Sequence, residues 1–324
     1  MIYYMLCNKE RYKLFCEEHP EIPLFMQCWW MEAVSIGKKW DVLFYEENNR
    51  IKACFVYLFV EKLHFKFILQ PQLTQYSGIW IDYSSDITPY QKLNIEKKIM
   101  SHFIEQIEKK KFVYFEQNFH HSVTNWLPFY WENYRQYTRY TYQIQDLSDL
   151  KQCFDNFSYA KRKQIHKAKR MLHTVFDMNV NEFYNHLELN LRKKKKESVL
   201  YSRNLFFNLY ETSVNRKQGK IIAVADNENN IHAALFVVWD KKVAYNLIST
   251  IDNKFQSSGA STLVVWEALN EIAKYCEVFD FEGSMNKGIE HSFYQFGAVQ
   301  TPYFNIYKFN SRIFKMLFKY LNHN

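Results

Sequence analysis

The sequence predicts a mixed α/β (α+β) protein built as two tandem domains of similar architecture. Its 324 residues correspond to about two domains of ordinary size. Each half contains helix-like segments, then strand-like segments joined by turns, then a helix and further strands. No sequence repeat relates the two halves, so the similarity lies in the order of elements. We predict domains at 1–145 and 146–324, with a final helix within 309–324 that can pack back on the first domain.

In the first half, the apolar spacing predicts two helices, three strands, a long helix and two more strands. The predicted helices cover 8–19, 27–36 and 88–110, and the predicted strands cover 40–47, 51–63, 64–71, 112–117 and 136–144. The turn at 47–50 joins the first two strands as a hairpin. The segment QPQLTQYSGIWID, at 70–82, is predicted to be a loop.

The second half repeats this order with more helix before the strands. The predicted helices cover 158–171, 180–196, 203–216, 259–275, 288–296 and 311–321, and strands are predicted at 277–282, at 300–308 and at three places within 220–250. Polar turns at 226–230 and 240–242 separate these three strands. The first of the six helices is strongly basic, with six cations at Lys161, Arg162, Lys163, Lys167, Lys169 and Arg170.

Composition excludes several classes of protein. With 48% hydrophobic and 23% charged residues, the chain is typical of globular proteins rather than disordered ones. No apolar run approaches the roughly 18 residues that cross a bilayer, and the N-terminal segment lacks the pattern of a signal peptide. The six cysteines are dispersed without a C-x-x-C pair, which favours a reducing, cytoplasmic setting. The histidines lack the spacing of metal ligands, so no metal is expected.

The net charge of +8 favours phosphate-bearing partners or an anionic surface. Cations gathered on one broad face of the basic helix suit a diphosphate or an RNA backbone. A plain solvated basic face is an equally good reading of the same pattern.

Three of only seven glycines fall within 279–303, where they mark tight turns: Gly283, Gly288 and Gly297. The segment predicts a strand, a glycine turn, a short helix and another strand. Glu282 ends the first of these strands, where a carboxylate beside a cleft can accept a proton. A turn-capping or lysine-paired role is the alternative. Its neighbour Asp280 is the second acidic candidate in this strand.

A second glycine turn opens the helix at 259–275. Such a turn presents free backbone N–H groups, and the helix dipole favours anions there. The residues Gln256 and Gly259, with Ser261 at the last small position, resemble the Q/R-x-x-G-x-G/A loop of the GNAT acyltransferase superfamily. A capped helix without a ligand is the alternative reading.

The order GASTLVVWEALNEIAKY, FDFEGS, GIEHSFYQFGA and PYFNIYKF resembles the C-terminal half of FemAB/FemX-like proteins, the double-domain branch of the GNAT superfamily. The segments NFSYAKRKQIHKAKRML and QPQLTQYSGIWI are also similar to stretches of bacterial FemAB-related proteins. The resemblance implies two GNAT-like domains, each a mostly antiparallel mixed sheet flanked by helices. The long helical arm of some members is absent, because 180–216 leaves room for only two short helices.

The resemblance implies transfer of an acyl or aminoacyl group to an amine, with acyl-CoA or aminoacyl-tRNA as donor co-substrate and no tightly bound cofactor. The acceptor is a small-molecule or peptide amine, with a cell-wall precursor as one option, and it is expected in a cleft between the domains. Glu282 is the candidate catalytic base. The implied donor-binding residues are Gln256, Ser257, Ser258, Gly259, Ala260 and Ser261. The implied substrate-binding residues are Arg162, Lys163, Lys167, Arg170, Asn246, Gln75 and Tyr76.

Two alternatives remain open at the level of sequence. The chain can be a non-catalytic GNAT-fold protein that binds a phosphate-bearing ligand or a nucleic acid, because a fold alone does not fix function. Within the enzymatic reading, the donor can be acyl-CoA or aminoacyl-tRNA. Gln75 and Tyr76 can likewise belong to an ordinary surface loop rather than to an acceptor site.

Overall fold

The computed structural model describes residues 7–176, 178–195 and 199–322, which group into two compact units. The first unit comprises the chain up to Arg139 together with the residues from Pro302 onward, and the second is Tyr140–Thr301. The chain passes between the units within two strands, Arg135–Ile144 and Val299–Phe309. The predicted domain boundaries stay a prediction, because compactness alone does not show that a unit folds independently.

The elements follow in chain order. Up to the first crossing they are α1 (Asn8–Glu18), α2 (Cys28–Val34), β1 (Lys39–Glu47), β2 (Arg50–Lys62), β3 (Phe65–Leu69), β4 (Gly78–Ile81), α3 (Pro89–Glu108), β5 (Tyr114–Asn118), α4 (Leu127–Trp131) and β6 (Arg135–Ile144). The second unit continues with α5 (Leu150–Asp155), α6 (Tyr159–Ala168), β7 (His173–Val175), α7 (Val180–Lys195), α8 (Arg203–Asn215), β8 (Gly219–Ala225), β9 (Ile231–Trp239), β10 (Val243–Ile251), α9 (Ala260–Ile272), β11 (Val278–Asp280) and α10 (Lys287–Tyr294). The chain then returns through β12 (Val299–Phe309) to α11 (Arg312–Asn322).

The first unit is a mostly antiparallel sheet in the order β1-β2-β3-β5-β12, with β4 also paired to β2 and one parallel pair, β3–β5. The hairpin between β1 and β2 turns through Asn48 and Asn49, both with positive φ, as a tight two-residue turn requires. Helix α3 begins at Pro89 behind a capping box between Thr88 and Gln91. Its apolar face packs against the sheet and builds the core of the unit.

The second unit has the sheet order β6-β11-β10-β9-β8-β7. Strands β8, β9 and β10 form an antiparallel meander, and β10 pairs with β11 in parallel after the crossover through α9. Helix α9 is buried along most of its length against β8 and β9, as its apolar sequence ASTLVVWEAL requires. Two segments follow β10 in the chain, the loop before α9 and the end of β11. Most of the candidate site residues of this unit lie in or beside them.

Most predicted elements are present with ends shifted by a few residues. Within the described residues, the structure adds short elements that the sequence analysis did not predict, namely β4, α4, α5, β7 and two 3₁₀ helices at Leu24–Met26 and Asn253–Ser258. Residues 78–81, predicted as loop, form β4 because they pair with Ala53–Val56 of β2.

Among the residues that the structure describes, no helix combines the length and apolar character that a bilayer crossing needs. All six cysteines are free thiols; Cys7 is exposed and the other five are buried. Burial raises the pKa of the Cys16 thiol to about 12, so that thiol stays protonated and behaves as a small apolar side chain.

Candidate active site

Two acidic residues with different surroundings lie at the end of β11 and just after it, Asp280 and Glu282. Asp280 is fully buried and lies between Tyr245 of β10 and Gln143 of β6 in the sheet. Its carboxylate accepts hydrogen bonds from the Thr141 hydroxyl, from Gln143 Nε2 at 2.8 Å and from the backbone N–H of Glu282 at 2.6 Å. Asp280 is therefore a well-satisfied buried carboxylate that fixes the backbone at the strand end.

Glu282 lacks comparable partners. The residue as a whole is half-buried, but its Oε1 atom is sealed from solvent and has no hydrogen-bond partner among the described residues. Its backbone lies in the left-handed region at φ +59°, which costs a residue with a side chain about 1 kcal/mol or more. Burial, and secondarily the nearby Asp280, raise the pKa of Glu282 well above its ordinary value. A strained, unpartnered carboxyl with a raised pKa has the properties of a general base.

Gly283 allows the chain to leave this strand end. Its φ is +67°, and an added Cβ would lie 2.7 Å from the Thr141 Cα and against the Tyr140 carbonyl oxygen. Only glycine combines this φ with so close an approach to another backbone. The glycine thus lets the chain turn directly after Glu282 while packed against the backbone of β6.

The glycine bend before α9 is seated on the basic helix. Gly259 has φ +81°, and an added Cβ would lie 2.9 Å from the Gln164 carbonyl oxygen of α6. Gly259 and Ala260 are buried, the Ala260 amide donates to Ser258 Oγ, and Ser261 is half-buried. Gln256 and Ser257 are exposed, and Gln256 Nε2 donates to Asn253 Oδ1. The close approach of this glycine therefore serves helix packing, and the open side of the loop carries Gln256 and Ser257.

Helix α6 distributes its cations over different directions. Lys167 Nζ donates to the Ser257 carbonyl at 3.2 Å, which brings this cation to the glycine loop. Arg162 instead donates to the Asp155 carbonyl at 2.7 Å, while Lys163 and Arg170 are exposed. Of the predicted basic set, only Lys167 makes a hydrogen bond to the loop in the described residues.

Lys161 is a buried cation that the sequence analysis did not select as a site residue. Its Nζ donates to Ser292 Oγ at 2.9 Å and to Thr262 Oγ1 at 3.4 Å, and it lies 4.3 Å from the Phe296 ring centroid. Burial lowers the pKa of Lys161 to about 8. The available signal was its spacing, because Lys161 shares the buried face of α6 with Ile165 and Ala168.

Lys161→Met should change how stability depends on pH. The pKa of Lys161 is about 8 when folded against an ordinary 10.5, so the unfolded chain binds more protons in between. The wild-type free energy of unfolding should therefore gain up to about 3 kcal/mol from this group as pH rises through that window. The methionine variant should lack this gain when chemical denaturation is measured between about pH 7.5 and about pH 10.5. Lys163→Met, at an exposed position, is the matched control; an identical slope in both variants would contradict the assignment.

Asn246 lies on β10, one residue from the partner of Asp280. It is buried, and a β-bulge interrupts the pairing with β9 between Asn246 and Ile248. Ser249 Oγ donates to Asn246 Oδ1 at 2.8 Å, so the amide oxygen already has a hydrogen-bond partner. The side-chain N–H groups of Asn246 are its donors for a ligand. Bulges commonly redirect a side chain beside an active site.

Gln75 and Tyr76 belong to the first unit and are buried rather than surface residues. The Tyr76 ring packs edge-on against Phe25 and His120. Both polar atoms of the Gln75 amide are buried without a hydrogen-bond partner among the described residues. A buried amide left unsatisfied costs about 1–3 kcal/mol, which a bound polar group or water would offset.

Comparison with known proteins finds neither a matching family model nor a matching curated protein. Solved structures do match over nearly the whole chain. FemX aligns with a TM-score of 0.68 at 11% identity, covering 93% of this chain and 96% of FemX. The L-PGS of Bacillus licheniformis aligns at 0.55 with 14% identity over 95% and 94% of the two chains. A tandem GNAT protein from the clavulanic acid biosynthesis pathway aligns at 0.50 with 7% identity over 86% and 93%.

The chain therefore has the fold of the tandem GNAT proteins, a mixed α/β architecture of sheets flanked by helices. Within that fold it is similar to the FemX-like branch, and the resemblance noted in the sequence is confirmed at the level of the fold. The individual site residues stay predictions.

Proposed function

We propose that this protein transfers an acyl or aminoacyl group from acyl-CoA or aminoacyl-tRNA to an amine acceptor. The observation that carries the proposal is Glu282, a strained carboxyl with one buried, unpartnered oxygen at the end of β11. The fold is compatible with the same class of reaction, since it is similar to FemX and to the C-terminal domain of a protein described as a putative lysylphosphatidylglycerol synthetase.

In the proposed reaction, the acceptor nitrogen attacks the acyl carbonyl carbon. A C–N bond forms, and the thioester C–S bond of acyl-CoA or the ester C–O bond of aminoacyl-tRNA breaks. The nitrogen gives its proton to ionised Glu282, and the departing thiolate or ribose oxygen takes up a proton in turn. The N–H groups of Asn246 are the proposed donors to the carbonyl oxygen as negative charge develops there.

The donor phosphates are proposed to bind on the open side of the glycine loop, beside Gln256, Ser257 and Lys167. The hydrogen bond from Lys167 to the Ser257 carbonyl supports this assignment, because it holds a cation at the loop. The second amide of α9, that of Ser261, has no acceptor within the helix and can bind an anion. Within the first unit, Gln75 is the proposed polar contact for a ligand, since its buried amide offers both a donor and an acceptor.

Thermal-shift measurements with acetyl-CoA, longer acyl-CoAs, charged tRNA and UDP-linked cell-wall precursors test the proposal first. A ligand that binds only the folded state raises the melting temperature. Each donor that binds is then incubated with amine acceptors, and the amide product is sought by mass spectrometry. Amide formation supports the transferase. Binding without turnover under every donor and acceptor pair would instead support the non-catalytic binding protein.

Lys167→Gln should weaken donor binding. The variant removes the cation that lies against the Ser257 carbonyl, so we expect roughly a 5- to 10-fold loss of affinity for the donor. If the donor is aminoacyl-tRNA, the slope of log affinity against log salt should also fall by about 1. Titrations at several salt concentrations measure both quantities. Lys151→Gln, at an exposed position on α5, is the control and should change neither; equal effects of the two variants would contradict the assigned phosphate site.

A further inference from the structure

Three segments of the first unit end at the same edge of its sheet. The amide of Val113 donates to the Lys66 carbonyl at 2.8 Å, and the Val113 carbonyl accepts from the Asn310 amide at 3.0 Å. Strand β3 begins here, β5 begins beside it in parallel, and antiparallel β12 ends here. The β2–β3 turn, the segment before β5 and the start of α11 therefore lie together.

Four apolar side chains at this edge are largely exposed to solvent instead of being packed in the core. Leu63 is 79% exposed and Phe65 51% exposed in and beside the β2–β3 turn, and Ile313 and Met316 are 70% and 64% exposed on α11. The inner face of α11 is already occupied, because Phe314 packs on Phe67 of β3 with ring centroids 5.3 Å apart. Ile313 and Met316 lie one helical turn apart on the outer face.

Cations surround these apolar side chains. They are Lys62, Lys66, Lys110, Lys111, Arg312 and Lys315. None of the six forms an ion pair with any residue in the described ranges. Of the nearby acids, Glu105 binds Lys109 and Glu108 binds Lys308. Glu61 lies opposite Lys66 in the β2–β3 pairing but forms no ion pair with it among the described residues. We call these six cations and the four apolar residues the basic–apolar edge.

We propose that the basic–apolar edge docks on the surface of an anionic lipid bilayer. The exposed apolar side chains would enter the headgroup region, and the unpaired cations would lie at the level of the lipid phosphates. A protein interface is disfavoured, because interface cores are depleted in charge. Nucleic acid is disfavoured too, since bases stack on aromatic rings, and the three most exposed apolar residues of the edge, Leu63, Ile313 and Met316, are not aromatic. The proposal does not depend on transfer chemistry.

The proposal is tested by vesicle co-sedimentation of the full chain. We expect binding to vesicles of equal parts phosphatidylglycerol and phosphatidylcholine, and little binding to phosphatidylcholine alone. Lys110→Gln with Lys111→Gln should lower the affinity for anionic vesicles roughly 10- to 30-fold. Ile313→Ser with Met316→Ser should lower it to a similar degree by removing the inserted side chains. Met171→Ser with Leu200→Ser, at exposed apolar positions of the second unit, is the control and should bind as wild type.

The variant Leu63→Asn tests whether a loss of vesicle affinity can be separated from a loss of stability. Leu63 has φ +50° and is highly exposed, and asparagine adopts this left-handed conformation more readily than leucine, so the variant should keep or gain stability while losing vesicle affinity. Three outcomes would overturn the proposal: no binding to anionic vesicles, binding that the apolar substitutions leave unchanged, or tighter binding to uncharged tRNA that the same edge variants weaken equally. The last outcome would assign the edge to nucleic acid.

Discussion

Glu282→Gln is expected to lower the rate of acyl transfer by about 100- to 10,000-fold, the usual contribution of a positioned general base. Glutamine keeps the shape of the side chain but cannot accept the amine proton. Donor affinity should change little, because Glu282 is not among the proposed phosphate contacts. Steady-state kinetics with the donor and acceptor found in the screen would measure both parameters.

The same variant has a second readout that separates chemistry from folding. The pKa of Glu282 is raised in the folded protein, so between the ordinary carboxyl pKa and the raised one the folded chain binds the extra proton. Stability from this group therefore falls as pH rises through that window, and Glu282→Gln should remove the fall. Glu277→Gln, at an exposed position just before β11, is the control for both readouts. If Glu282→Gln gains stability but transfers the acyl group at the wild-type rate, Glu282 has a structural role and is not the base.

Gly283→Ala should lower the free energy of unfolding by about 3 kcal/mol or more. The new Cβ would clash with the Tyr140 carbonyl and lie 2.7 Å from the Thr141 Cα, and the backbone neighbours cannot rotate away. The positive φ adds about 1 kcal/mol to this clash. Denaturant unfolding monitored by tryptophan fluorescence gives the difference.

Gly37→Ala separates the two causes. Gly37 also has positive φ, at +70°, but an added Cβ there meets nothing within 4 Å. It should therefore lose only about 1 kcal/mol, the contribution of backbone conformation alone. Equal losses at Gly37 and Gly283 would show that the strand end after Glu282 is looser than the structure has it.

The sequence predicted those elements whose signal is local. Strands β8, β9 and β10 are apolar runs separated by Asp- and Asn-rich turns, and α9 follows a glycine with an unbroken apolar face. Elements that depend on distant partners escaped prediction. Strand β4 has only four residues and exists because β2 lies beside it, and α5 is a six-residue helix capped by Asp149.

The candidate site was predictable to the same extent. The turn after Glu282 and the glycine bend at Gly259 could be predicted from the sequence, because glycines are rare in this chain. Their surroundings were not, because the neighbours come from residues far away in sequence: β6 crosses at Gly283, and α6 packs under Gly259. The basic helix shows the same gap, since Lys161 lies buried and Lys167 reaches the loop although both belong to one run of cations.

The pH dependence of kcat/KM tests the central claim most directly, because it reports the essential groups of the free enzyme. The wild-type protein should show a rate that rises with pH through a midpoint well above the ordinary carboxyl range, and Glu282→Gln should abolish that rise. A wild-type profile without this limb, or one that survives unchanged in the variant, would contradict the assignment of Glu282 as the base.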